Sequence, residues 1–138
     1  MKKIITVFLA LTLIICFAGC QKKEDTGINL LNLPDIKNVE NIAVSSIPPA
    51  MDYVYTDDDS EIIFDYLSKL TLVSDFPENP DDYVGTTWEI VFNLKDDAKL
   101  TLYYMCNMFI RTEDSSWYKV QFSESYDFSS LIERLNNN

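Results

Sequence analysis

The alternation of apolar and polar residues between Thr87 and Phe122 constrains the fold more than any other feature of the chain. Alternate residues share one face of a β-strand, so each alternating stretch predicts a half-buried strand. The apolar sets are Trp88, Ile90, Phe92 and Leu94, then Leu100, Leu102 and Tyr104, and, after a short stretch at 108–111, Tyr118, Val120 and Phe122. The polar segments 95–98 and 113–116 are typical of turns. The region predicts an antiparallel meander of about four strands.

Two helical patterns can cover the apolar face of this meander. Thr56–Glu61 combines a capping residue with carboxylates, as helix N-termini do, and predicts a helix over about residues 57–70. A second helix is predicted near the C-terminus, with Ser125 or Asp127 as its N-cap. Its apolar residues recur at helical spacing and are Phe128, Leu131, Ile132 and Leu135.

An N-terminal hairpin completes the predicted sheet. Residues 41–46 alternate apolar with small polar residues, Pro48-Pro49 ends that strand, and the aromatic stretch 53–55 pairs back on it. The predicted fold class is α+β, with a mainly antiparallel sheet made of the meander and this hairpin, and with two helices packed on one face. We expect a long loop at 71–85, where prolines and aspartates are frequent.

The first twenty residues have the pattern of a signal peptide. Lys2 and Lys3 precede an apolar run from Ile4 to Phe17, which is short for a membrane span of about 20 residues, and small residues follow. The ending Phe17-Ala18-Gly19-Cys20 resembles the lipobox of bacterial lipoproteins, although Phe17 replaces the usual Leu. The resemblance implies that Cys20 carries fatty acyl chains such as palmitate and becomes the first residue. A plain N-terminal anchor and a secretory signal cut elsewhere are the alternatives.

Processing at this position defines the predicted organisation. Residues 1–19 would be the signal peptide, 20–36 a tether and 37–138 a single α+β domain. Removing residues 1–19 from the 138-residue chain leaves 119 residues and changes the formal charge from −11 to −13, because Lys2 and Lys3 are lost. So acidic a protein is not expected to bind nucleic acid or to dock electrostatically on anionic lipid. The strand and helix order resembles small uncharacterised α+β domains in lipoproteins of Gram-positive bacteria, which implies a location and no particular activity.

The composition excludes several kinds of catalytic and metal site. The chain contains no histidine, which removes histidine-based acid–base catalysis and the commonest zinc ligand. Of the three cysteines, Cys16 lies in the signal and Cys20 is the predicted lipid site, so Cys106 is the one remaining thiol and no disulfide can form within the mature chain. We interpret Cys106 as a small buried apolar residue rather than a reactive thiol. No cofactor and no metal site are predicted.

Two local motifs resemble known sites without matching them. Ser116-Trp117-Tyr118-Lys119 fits the S-x-x-K pattern, but residues three apart on a strand face opposite sides, so Ser116 and Lys119 cannot meet. The acids at 57, 59 and 61 begin like a calcium-binding loop, which then lacks its glycine and its closing glutamate. Helix capping explains these acids without an ion, although a weak surface calcium site there or at 81–82 stays an alternative.

Tyr103, Phe109 and Trp117 fall on the face of the meander opposite the predicted core. We favour a structure in which the tether or its leucines, residues 30, 31 and 33, fold over them; if nothing covers that face, they form an aromatic strip that could contact a partner. The predicted function is therefore a non-catalytic, monomeric binding module, anchored to the outer side of the cell membrane through Cys20 and contacting an envelope protein. The alternatives are an inhibitor or immunity-type lipoprotein that occupies a basic partner and, less favoured, a small carboxylate-based hydrolase.

Overall fold

The computed structural model describes residues 25–26, 30–121 and 127–137. In that part of the chain, an eight-stranded antiparallel sheet carries two α-helices on one face. The strands are β1 (Asp25–Thr26), β2 (Val39–Ile47), β3 (Met51–Tyr55), β4 (Thr71–Val73), β5 (Thr87–Leu94), β6 (Lys99–Met105), β7 (Phe109–Thr112) and β8 (Tyr118–Gln121). The helices are α1 (Asp57–Ser68) and α2 (Phe128–Asn136), with short 3-10 helices at Ile36–Asn38 and Pro80–Asp82. The predicted α+β class is confirmed, but the sheet has more strands than the expected meander of about four plus a hairpin.

The strands follow the order β1-β4-β8-β7-β6-β5-β2-β3 across the sheet, and each neighbouring pair is antiparallel. Strands β5 to β8 form the predicted meander, in which each strand pairs with the next. The hairpin β2–β3 extends the sheet beyond β5, and β4 with β1 extends it beyond β8. The order therefore places β1 and β3 at opposite edges of the sheet.

The inner face of the sheet carries the alternating apolar residues that the sequence places there. Ile42 and Val44 of β2 lie opposite Phe92 and Ile90 of β5, and each of the four is at most 1% exposed. Trp88 of β5 and the core residues of β6 continue this face. Burying side chains of this size contributes roughly 1.5–3 kcal/mol each, so the inner face is where the fold gains most of its stability.

Helix α1 packs its apolar stripe on the inner face, with Ile63 and Leu67 fully buried. Thr56 is its N-cap residue, but the Thr56 side chain makes no capping hydrogen bond. Negative charge in the first turn, from residues 57–59, instead lies where the helix dipole favours it. The helix ends at Ser68, slightly before the predicted boundary.

Helix α2 is fixed by its cap and by one aromatic residue. Asp127 accepts a hydrogen bond from the Ser130 amide at 2.7 Å, which selects Asp127 as the N-cap; Ser125 lies outside the described residues. The ring of Phe128 is fully buried, with centroid distances of 5.5–5.6 Å to three other rings. Those rings belong to Tyr66, Trp88 and Tyr104. Both helices therefore meet on one cluster of aromatic side chains above the sheet.

The packed structure begins earlier than the predicted domain boundary at residue 37. Leu31 is fully buried in the core, and Leu30 and Leu33 pack against it. Further upstream, Asp25 and Thr26 pair with β4. Much of the segment predicted as a tether is thus part of the fold, because its leucines bury apolar surface beside the helices.

The segment predicted as a long loop contains β4, which pairs with β8 through Leu72 opposite Val120. Beyond β4, the chain crosses the outer face of the sheet, where Phe76 and Tyr83 contact the ring of Phe109 with centroid distances of 5.6 and 5.0 Å. We call residues 74–83 the cover segment, since they shield this part of the outer face.

The β6–β7 turn connects the sheet to α2. Cys106 and Asn107 have positive φ angles of 54° and 55°, and Asn107 Oδ1 accepts a hydrogen bond from the Phe128 amide at 3.2 Å. Gly85 lies close beside this turn: a Cβ there would come within 2.8 Å of Cys106 Sγ, so the thiol would have to move. Cys106 is partly exposed in the turn, which corrects its predicted burial in the sheet.

Among residues 30–121 and 127–137, no helix has both the length and the apolar character needed to cross a bilayer.

Candidate binding groove

The structure changes the prediction for the outer aromatic strip at Phe109. Its side chain is fully buried beneath the cover segment, so it packs the domain and cannot contact a partner. The expected cover was the tether or its leucines. Instead those leucines pack in the core cluster, and the cover comes from residues 74–83.

Tyr103 and Trp117 remain partly exposed, but a third residue occupies the space between them. The guanidinium carbon of Arg111 lies 5.1 Å from the ring centroid of Tyr103 and 5.0 Å from that of Trp117. A guanidinium held between two rings gains cation–π attraction on both of its faces. The three side chains therefore form one stacked unit rather than a free aromatic strip.

Lys119 of the S-x-x-K motif pairs with Glu78 from the cover segment. The side chains of both are about 30% exposed, which makes the pair less screened than a surface salt bridge. Ser116 precedes the strand and is exposed. The motif thus attaches the cover segment to β8 and provides no nucleophile–lysine pair.

The acids considered as calcium ligands are solvent-exposed at the start of α1 and in the 3-10 helix at 80–82. In the described part of the chain, no group of three or more Asp, Glu or Cys side chains is arranged to hold a metal ion. Cys20, the predicted lipid site, lies outside the described residues, as does Phe122.

A groove opens on the helix-bearing side of the sheet, between α2, β3 and the first residues of β5. Its volume is about 440 Å³, within the range of about 300–1,000 Å³ typical of ligand sites. Its walls combine apolar and aromatic side chains with uncharged polar groups and one carboxylate. The residues are Pro49, Met51, Tyr53, Thr86, Trp88, Ser129, Ile132, Glu133, Asn136 and Asn137.

Hydrogen bonds fix the polar end of this groove. Asn136 donates from Nδ2 to the Tyr55 hydroxyl at 2.7 Å and to the Ile132 carbonyl at 2.8 Å, which ties the end of α2 to the end of β3. Burial raises the pKa of the Tyr55 hydroxyl, and the hydrogen bond from Asn136 partly opposes that shift. Tyr55 therefore stays a neutral structural support for the groove at ordinary pH.

The floor of the groove includes the indole of Trp88, which is 2% exposed. Its Nε1 is buried and has no hydrogen-bond partner among the described residues. A buried donor without an acceptor is a cost to the folded state. At the rim, Glu133 is exposed, and no lysine or arginine of the described part of the chain lines the groove. The arrangement suits a ligand with apolar parts and positive charge.

A shallower depression of about 280 Å³ lies on the opposite face of the same strands. Asp52 of β3 and Glu89 of β5 flank Ser45 of β2 in one cross-strand row. Beside this row, Val54 and Val91 line the depression, and Val54 is 68% exposed. This part of the outer face is not beneath the cover segment, whose ring contacts are with β7.

Analysis of the sequence identified Trp88 as a core residue and missed the groove. Glu133 and Asn136 carry no motif, and their approach to β3 depends on how α2 crosses the sheet. One signal was present: Met51 and Tyr53 are apolar residues of a strand with two successive prolines before it, which is typical of a sheet edge.

Comparison with profiles of protein families, with curated proteins and with solved structures finds no match to this chain.

Proposed function

We propose that this protein is a lipoprotein on the extracytoplasmic face of the cell membrane, which binds a partner protein at the envelope and catalyses no reaction. The groove between α2 and β3 is the observation that supports the binding role, since it is open, partly apolar and built on rigid elements. The sequence Phe17-Ala18-Gly19-Cys20 supports the anchor. Two chains of fatty acid on Cys20 would hold the protein durably at the bilayer.

The strand order supports a separation between the membrane anchor at one edge of the sheet and the binding groove at the other. β1 begins five residues after Cys20 and lies at one edge of the sheet, whereas β3 lies at the other. Five residues span at most about 17 Å when extended, so the anchor would keep the β1 edge near the membrane. Seven strand spacings separate the two edges, or roughly 30 Å. The groove beside β3 would therefore lie at the end of the sheet that is farther from the anchor.

The anchor is tested by labelling cells with an alkyne fatty acid and by mass spectrometry of the purified protein. We expect acyl mass on a chain that begins at Cys20, and loss of the label in Cys20→Ser. Cys106→Ser and Cys16→Ser are matched controls that keep the label. A native protein that begins at Met1, or a label that survives in Cys20→Ser, contradicts the proposal.

The binding role is tested with a photo-crosslinking amino acid placed in the groove of the full-length protein in its own cells. Glu133 is a suitable position because it is exposed at the groove rim. Glu61, an exposed acid of α1 outside the groove, is the control. We expect a discrete adduct from position 133 that is absent from position 61, and equal crosslinking from both would contradict a groove-specific partner.

A second candidate, an inhibitor or immunity-type lipoprotein that occupies a basic protein, is favoured by the distribution of charge. Of the acidic side chains whose burial is described, all but Glu78 are exposed, whereas Arg111 and Lys119 are partly buried. The exposed surface is thus more acidic than the net charge suggests. Capture that weakens steeply as salt is raised would support this candidate over a mainly apolar contact.

A further inference from the structure

Strand β3 has an open edge. It is the last strand in the sheet order, and among the described residues the backbone of residues 51–54 pairs with β2 alone. The opposite edge, β1, is only two residues long, whereas β3 has five. An unpaired strand edge presents amide and carbonyl groups that can accept a further strand.

Each face of this edge is bordered by a depression. Met51 and Tyr53 line the groove under α2, whereas Asp52 and Val54 line the depression on the outer face. An extended peptide added to β3 would point successive side chains alternately to these two sides. Both sets of its side chains would therefore meet concave, partly apolar surface.

The carboxylates beside this edge favour a positively charged peptide. Glu133 borders the groove, and Asp52 and Glu89 border the outer depression. Among the residues that the structure describes, no lysine or arginine lines either of them. We propose that the open edge of β3 is a docking site for an extended, cationic polypeptide segment of a partner, which adds as a strand with lysine or arginine side chains toward these carboxylates. The proposal deepens the proposed binding role and rests on it.

Two other occupants fit the surface less well. A second copy of this chain would bring another strongly acidic surface, and its own Asp52, against the same carboxylates. The N-terminal segment of the chain enters the sheet through β1, at the far edge. A second copy therefore lacks the positive charge that the carboxylates favour, and the N-terminal segment, although it carries Lys22 and Lys23, joins the sheet at the opposite edge.

The proposal is tested with full-length protein in detergent micelles and a fluorescent peptide of about seven residues that repeats two Lys and two Val, so that each face of the added strand carries Lys. Its length covers the five residues of β3 with one to spare at each end. We expect saturable binding in fluorescence anisotropy that weakens as salt is raised to about 0.3 M. The same peptide with Glu in place of Lys should not bind. Equal binding of the two peptides would overturn the proposal, because the carboxylates would then not select the ligand.

Strand addition is separated from loose electrostatic contact by N-methylation of alternate peptide amides. Every second amide of an added strand points at β3, and the others point away. One methylation pattern should therefore abolish binding while the other preserves it. If both patterns bind equally well, the peptide does not add to the edge.

The carboxylates are tested together in Asp52→Asn/Glu89→Gln/Glu133→Gln. Binding of the Lys-Val peptide should weaken roughly tenfold, since the three carboxylates that line the two depressions lose their negative charge. The control Glu61→Gln/Asp65→Asn/Glu113→Gln removes as many exposed charges elsewhere and should leave binding within about twofold. Equal weakening in both triple variants would show that net charge alone, and not this edge, attracts the peptide.

Failure of this inference can be distinguished from failure of the proposed function. If the photo-crosslink from position 133 to a partner persists but the Lys-Val peptide does not bind, the partner uses the groove in another way. If the protein forms a dimer at micromolar concentration that Asp52→Lys abolishes, the edge is occupied by a second copy and the proposal is wrong.

Discussion

Replacement of Phe109 by alanine tests whether the cover segment belongs to the folded core. The Phe109 side chain is fully buried and contacts the rings of Phe76 and Tyr83. Truncation of a buried phenylalanine to alanine costs about 3–5 kcal/mol of unfolding free energy. A chain of this size has a total stability of roughly 6–18 kcal/mol, so the expected loss is a large part of it. A Tm decrease of roughly 10–20 °C should follow.

The assay is urea denaturation followed by the fluorescence of Trp88 and Trp117. The midpoint should fall while the m-value stays constant, because the native state remains compact. Val84→Ala is the matched control, since Val84 is fully exposed next to Tyr83 and its truncation should change stability by less than about 0.5 kcal/mol. A loss below about 1 kcal/mol in Phe109→Ala would refute the burial and return this residue to the surface.

The contact between the rings of Phe76 and Phe109 can be measured with a double-mutant cycle. Phe76→Ala and Phe109→Ala, made singly and together, should show a coupling free energy of about 0.5–1.5 kcal/mol. Additive losses would mean that the two rings do not meet in solution.

Three further predictions concern the outer stack, a turn and alkaline pH. Arg111→Lys should lower stability by about 1 kcal/mol in urea denaturation, because an ammonium cannot stack between the two rings, and an unchanged midpoint would contradict the stack. Asp97 has a φ of 65° in the β5–β6 turn, so Asp97→Gly should be more stable than Asp97→Ala by about 1 kcal/mol, which thermal unfolding would measure. Burial, followed by the neighbouring Tyr66, raises the pKa of the Tyr104 hydroxyl, so the folded state keeps a proton that the unfolded state loses above pH of about 10. The stability that the protonated Tyr104 hydroxyl contributes is therefore complete below that pH and is lost as the pH rises further. Tyr104→Phe should show a shallower alkaline decline in unfolding free energy. An identical slope in the two proteins would contradict the raised pKa of Tyr104.

Much of the sheet could be predicted because its strands carry their own signal. β5 alternates cleanly from Trp88 to Leu94, and β2 alternates around Ile42 and Val44, so each face could be assigned without knowing the partner strand. The C-terminal helix had both an apolar stripe and the Asp127 cap. In these segments local propensity and tertiary burial agree.

The missed features depend on contacts between residues far apart in sequence. β4 is three residues long, and its pairing with β8 and β1 makes it a strand. Phe76 and Tyr83 lie among prolines and aspartates, where local rules predict a solvated loop. Two aromatic residues in such a polar segment were the available signal, but the sequence could not show that both would meet Phe109 across the sheet.

The position of the open surface follows from how the two sides of the sheet are covered. On the outer side, the cover segment packs on β7 and joins β8 through Glu78 and Lys119. On the inner side, the end of α2 reaches β3, where Asn136 contacts Tyr55. Both coverings leave the stretch around Asp52–Val54 uncovered, and the backbone edge is unpaired at the same place. In the part of the chain that the structure describes, this surface stays open because neither the two helices nor the cover segment extends over the β3 end of the eight-stranded sheet.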